Sequence, residues 1–131
     1  TEKYRTLCFD LNLLKKINAT YGPHKGDELI QRFADVPREV YSLYGITARI
    51  GGDEFVAILN NVSVQETEKL ISDMLILIET KNKEDDILKL STAYGYAMSD
   101  EVADSNPHII YKLADDRMYE YKKKSKMGRN D

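Results

Sequence analysis

The feature that most constrains this chain is the stretch Arg49-Ile50-Gly51-Gly52-Asp53-Glu54-Phe55-Val56-Ala57-Ile58-Leu59. Two apolar, strand-like runs flank two glycines and two acids, which predicts a β-hairpin with arms at 46–50 and 55–60. Paired glycines permit positive φ and leave the backbone open to close approach. Adjacent carboxylates at such a turn offer the hard oxygen ligands taken by a phosphate-bound Mg2+. The other reading is an ordinary Gly-Gly turn with solvated acids.

The chain around the hairpin decides between them. Leu7, Phe9 and Leu11 alternate with Cys8 and Asp10, predicting a strand with Asp10 near its C-terminal end. Leu13, Ile17 and Tyr21 recur at helical spacing, and Gly22-Pro23 should end that short helix. A second helix is expected to open at Gly26-Asp27 and to run through Leu29, Ile30, Phe33 and Ala34. Pro37 should kink or break it, with a resumption to Tyr44 and a stop at Gly45. Leu70, Ile71, Met74, Leu75 and Ile78 predict an amphipathic helix over about 63–80. A charged loop at 81–86 precedes a strand over 88–98, large residues on one face and Ala93, Gly95 and Ala97 on the other, as for close helix packing. Asn106-Pro107 starts a last helix through Ile110, Ala114, Met118 and Tyr121.

The order β-α-α-β-β-α-β-α contains βαββαβ, the ferredoxin-like α+β arrangement of an antiparallel sheet covered by helices on one face. That topology can set the first strand beside the hairpin and so bring Asp10 to Asp53.

With 131 residues the chain suits one domain, here taken as 1–131 and as excised from a longer protein because it opens almost directly on a strand. Net charge of −3 and a pI near 5.4 argue against a broad nucleic-acid surface. The single Cys8 permits no internal disulfide and sits in an apolar run, favouring a buried structural thiol over a nucleophile in a reducing, cytoplasmic setting. No apolar run has the length of a membrane span, so no membrane contact by this domain is expected, although missing segments could tether it. Asn18 and Asp27, on local grounds, read as helix caps, and Lys122 to Lys126 as a solvated charge run.

Three separated blocks resemble one family, the GGDEF diguanylate cyclases. They are Gly51-Gly52-Asp53-Glu54-Phe55; Asp10, Lys15, Asn18, Gly22, Gly26 and Asp27 at family spacing; and Leu113-Ala114-Asp115 with Met118-Tyr119, Lys122 and Gly128-Arg129-Asn130. The resemblance implies condensation of two GTP into cyclic di-GMP with release of pyrophosphate, across a homodimer. It implies two Mg2+ (or Mn2+) per active site, held by Asp10, the Leu11 carbonyl, Asp53 and Glu54. Asp53 and Glu54 would be catalytic, Glu54 as a second metal contact or as a helper in deprotonating the 3′-hydroxyl.

The remaining assignments follow the same resemblance. Gly51 and Gly52 would present backbone N–H groups to phosphate, and Lys122, with Lys126 or Arg129, the cations. Asn18 would donate to guanine O6 and Asp27 accept from N1 and N2, a polarity that adenine reverses. An upstream sensor or an adjacent phosphodiesterase domain is the expected partner, and a GTP-binding regulatory domain without turnover is the alternative function.

Departures mark a divergent member. Asn12 stands where a second acid is common, Leu14 replaces a phenylalanine, Ala19 replaces an acid, and His24 is displaced by one into an expected loop. The family's opening segment before the first strand is absent. Ser42 and Gly45 occupy the positions of the Arg-x-x-Asp product-inhibition motif, so that inhibitory site is expected to be missing.

Overall fold

The computed structural model describes residues 3–126. Strand β1 (Tyr4–Leu11) leads through α1 (Leu14–Tyr21) and α2 (Pro23–Tyr41) to the hairpin β2 (Gly45–Arg49) and β3 (Glu54–Asn60). Helix α3 (Val64–Asn82), strand β4 (Thr92–Met98), two 3-10 turns and α4 (Pro107–Lys126) complete the chain. The sheet order is β2-β3-β1-β4, antiparallel throughout. This is the ferredoxin-like α+β arrangement, with β1 central and beside the hairpin.

The period of two in the strands sorts the side chains into two cores. Leu7, Phe9 and Leu11 of β1 join Phe55, Ala57 and Leu59 of β3 beneath α2 and α3. Phe9 stacks on Phe55 at 5.9 Å, and Phe33 of α2 meets Phe55 edge-on at 5.1 Å. Cys8, Val56, Ala93 and Ala97 face the other way, against Ile110, Ala114 and Met118 of α4. Helices therefore cover both faces of the sheet, not one. The small residues of β4 permit this: a Cβ on Gly95 would lie 2.2 Å from the Met118 amide nitrogen.

Other boundaries differ from the sequence expectation. Helix α2 begins at Pro23, whose fixed φ and missing donor suit the first turn. It passes through Pro37 unbroken: Phe33, Val36, Pro37 and Tyr41 are all buried, and their packing on the sheet outweighs the lost backbone bond. It ends at Tyr41, before the expected Tyr44. Leu88 and Leu90 are buried core residues of the connection before β4, which starts only at Thr92. Ser63 caps α3 with a reciprocal bond pair to Glu66. Helix α4 takes in 122–126, read from the sequence as a charge run after the helix.

Candidate active site

The register between β1 and β3 builds the site. Asp10 is the cross-strand partner of Glu54, and the Leu11 amide donates to the Asp53 carbonyl at 2.8 Å. The first strand thus meets Glu54 by register and Asp53 through its backbone carbonyl, as the topology allowed. Alternation directs Asp10 and Glu54 toward α4, the side of Cys8.

Helix α4 supplies a partner to each. Lys122 Nζ lies 2.9 Å from Asp10 Oδ2, and the Asp10 side chain is only 7% exposed. The Tyr111 hydroxyl donates to Glu54 Oε2 at 2.5 Å. Thr92 on β4 donates its hydroxyl to the Asp10 carbonyl at 2.6 Å, fixing the same residue from the other edge. The second carboxylate oxygen of Asp10 is buried with no hydrogen-bond partner. A buried acceptor left this way fits a cation, since an unpaired oxygen there is costly.

The neighbouring acids raise the proton affinity of Glu54. Burial pushes Glu54 up; the Tyr111 hydrogen bond opposes this, and the charges of Asp115, Asp10 and Asp53 add to it. Burial, then Glu54 and Asp115, push the Cys8 thiol up to about 12, so it is a neutral S–H donor to the Tyr111 carbonyl at 4.0 Å. A cation bound among these oxygens would reverse that sense.

The turn itself is open. A Cβ on Gly51 or Gly52 would meet nothing within 4 Å, and neither glycine has positive φ. They leave an unobstructed surface and need no left-handed backbone. Arg49 Nε holds the turn by donating to the Gly51 and Gly52 carbonyls at 3.3 and 3.0 Å.

Asn18 and Asp27 lie on the exposed α1–α2 corner. Neither caps a helix through its side chain. Gly22 takes both positions: its amide donates to the Asn18 carbonyl at 3.0 Å, and it is the N-cap of α2. Among the described residues neither the Asn18 amide nor the Asp27 carboxylate has a hydrogen bond or ion pair, so both are available. Gly26 lies directly beneath Asn18, and a Cβ there would sit 1.7 Å from Asn18 Oδ1. His24, expected in a loop, is exposed in the first turn of α2.

Lys122 joins the acids, while Lys126 ends α4 and its side chain, like Arg129, lies outside the described residues. At Gly45 a Cβ would stand 1.7 Å from the Ile58 carbonyl oxygen, so an aspartate at that position would have to displace β3. Tyr111 and Thr92 had no role in the sequence reading. For Tyr111 the available signal was spacing, since 111, 115, 118 and 122 share one face of a helix.

The family model for the diguanylate cyclase GGDEF domain matches residues 1–128. The probable diguanylate cyclase DgcT of Escherichia coli (strain K12) is 30% identical over 131 residues, covering 97% of this chain and 28% of the relative. The signaling protein YkoW of Bacillus subtilis (strain 168) is 33% identical over 128 residues, covering 94% of this chain and 16% of the relative. This chain thus spans less than a third of either. The crystal structure of the GGDEF domain of DgcB from Caulobacter crescentus, in complex with c-di-GMP, superposes with a TM-score of 0.83 at 22% identity, covering 98% of this chain and 75% of that one.

Proposed function

Because this chain belongs to the diguanylate cyclase GGDEF domain family, we propose that it condenses two GTP into cyclic di-GMP and pyrophosphate, one GTP held by each of two domains face to face. The observation that carries the reading is the pairing of Asp10 with Glu54 beside Asp53, with one Asp10 oxygen buried and unpartnered.

Asp10, the Leu11 carbonyl, Asp53 and Glu54 are the oxygen donors that would hold two Mg2+ or Mn2+. Such cations neutralise phosphate charge in in-line phosphoryl transfer. The chain's own groups do the rest. Gly51 and Gly52 leave their surface bare for a triphosphate. Asn18 and Asp27 face solvent with free donor and acceptor groups complementary to the guanine edge. Lys122, with Lys126 or Arg129, supplies positive charge on the phosphate side. The Tyr111 hydrogen bond orients Glu54 for its helper role. The opposite domain contributes the second nucleotide, whose 3′-hydroxyl attacks the α-phosphate of the first.

In this reading the domain works in the cytoplasm beside a sensor or phosphodiesterase domain of a longer protein. Among the described residues no helix is long and apolar enough to cross a membrane.

A regulatory GTP-binding domain without turnover is the second reading. It draws support from the ion pair of Lys122 with Asp10, which engages a phosphate-side cation and a metal ligand with each other. The deciding experiment supplies the purified chain, dimerised by a fused coiled coil, with GTP and Mg2+ and separates the nucleotides. Linear or cyclic dinucleotide, lost in Asp53→Ala with the fold intact, supports the cyclase. GTP binding with neither product supports the regulatory reading.

A further inference from the structure

Overlapping the acids of the turn at Glu54 stands a second group of donors, of which the proposed reaction uses neither Cys8 nor Asp115. Cys8 Sγ, a carboxylate oxygen of Glu54 and one of Asp115 all lie within 4.8 Å of one another. They come from three elements, β1, β3 and α4. Cys8 is fully buried, while Glu54 and Asp115 are half-buried and give an approach from solvent. None of the three is in an ion pair among the described residues, and the Asp115 carboxylate has no hydrogen bond there. Tyr111 orients two of them, through its hydroxyl on Glu54 Oε2 and its carbonyl on the Cys8 thiol. The hydroxyl is the outer-sphere donor that a ligating carboxylate requires, while the carbonyl holds the thiol proton that a metal would displace. Asp10, the cross-strand partner of Glu54, lies outside this group and keeps its own buried oxygen without a partner.

We propose that Cys8, Glu54 and Asp115 form a site for a thiophilic divalent cation of the Zn2+ or Cd2+ class. The donor set discriminates. Mg2+ takes oxygen ligands in octahedral geometry and keeps much of its water, whereas a thiolate selects Zn2+ and its heavier relatives. One sulfur and two carboxylates leave the fourth tetrahedral position to water. Zinc–sulfur bonds of about 2.3 Å and zinc–oxygen bonds of about 2.0–2.2 Å bring the ligand atoms to about 3.5 Å from one another. The half-exposed Glu54 and Asp115 side chains can close that gap by rotation, while Cys8 stays fixed in the strand. As the sulfur–metal bond forms the S–H bond breaks and its proton passes to solvent, so affinity rises with pH. A dication also relieves the repulsion between the Glu54 and Asp115 carboxylates, which have no paired cation among the described residues.

Glu54 belongs to both sites. Occupation by Zn2+ withdraws it from the nucleotide side and inhibits turnover, a consequence that rests on the cyclase reading. Metal binding itself does not.

The test titrates Cd2+ into the 131-residue chain without nucleotide and follows the ultraviolet thiolate-to-metal charge-transfer band. One equivalent should bind with that band. Cys8→Ala should abolish the band and weaken binding more than roughly tenfold, and Asp115→Asn should keep the band but weaken binding roughly tenfold. Cys8→Ser, which preserves volume, serves if the alanine variant does not fold. Absence of the band in the wild type, or equal Cd2+ affinity in the Cys8 variants, overturns the proposal. In a second arm Zn2+ should inhibit Mg2+-supported turnover of the wild type and leave Cys8→Ala active. A chain that forms no dinucleotide yet binds Cd2+ through Cys8 refutes the cyclase reading and supports this site.

Discussion

Lys122 Nζ and Asp10 Oδ2 lie 2.9 Å apart across 112 positions of sequence, joining the last helix to the first strand. The carboxylate is buried and the lysine 30% exposed, so the pair sits where charge is costly to leave alone.

Lys122→Ala should therefore cost about 2 kcal/mol of stability, less than a fully buried pair because water can reach the vacated position. Millimolar Mg2+ should return part of the loss by giving Asp10 another cation. Urea denaturation with and without Mg2+ measures both; equal loss in the two conditions would argue against cation binding at Asp10.

Gly26→Ala should act on Asn18. The new methyl group would meet Asn18 Oδ1 at 1.7 Å, and that exposed side chain can swing aside. Stability should change by less than about 1 kcal/mol, since alanine also favours the helix. GTP affinity, by titration calorimetry, should fall roughly tenfold through loss of one positioned amide. Unchanged affinity would remove Asn18 from the base site.

Gly95→Ala is the contrasting case. Its methyl group would meet backbone, the Met118 nitrogen at 2.2 Å and the Ala114 oxygen at 2.6 Å. Helix α4 would have to lift from β4, carrying Tyr111, Asp115 and Lys122 with it. The expected cost is about 3 kcal/mol, at the upper end for overpacking. A thermal midpoint within a degree or so of the wild type would refute the packing account.

Glu101 carries a pH dependence distant from the acids of the turn. Two bonds from Arg117, at 2.7 and 3.0 Å, hold its carboxyl below the usual 4.5, as does the Met98 amide. A lowered folded-state value means the stabilisation is complete above about pH 4.5 and fades as pH falls through the lowered value. Glu101→Gln should accordingly be less stable than the wild type at pH 7, by about 0.5 kcal/mol for so exposed a pair. The gap should close in acid. A gap that widened below pH 4 would reverse the assignment.

Much of the architecture was legible because it rests on short-range periodicity. The alternation of Leu7, Cys8, Phe9, Asp10 and Leu11 and the Gly-Gly-Asp-Glu turn are local patterns, and order alone then set β1 beside β3. What sequence could not weigh was tertiary compensation. Pro37 is a helix breaker in isolation and is tolerated because Phe33, Val36 and Tyr41 anchor the helix on both sides of it. Leu88 and Leu90 looked like strand because they are apolar and alternate, yet they fill the core from an irregular segment. At the site, the sequence announced the acids and Lys122 but not Tyr111 or Thr92. The contact of Tyr111 with Glu54 becomes visible only when α4 is laid across the sheet, and that of Gly26 with Asn18 only when the two helices are folded at their corner.

That corner has a wider consequence. Gly22, at φ 91°, closes α1 and opens α2. Asn18 stands on one side of it and Asp27 on the other, so their separation belongs to neither helix. One glycine torsion sets the gauge between an amide and a carboxylate. In the cyclase reading, a chain built this way can drift in most of both helices and still present the same amide and carboxylate to a base edge, whereas a side chain at residue 22 would reset their spacing without touching either residue.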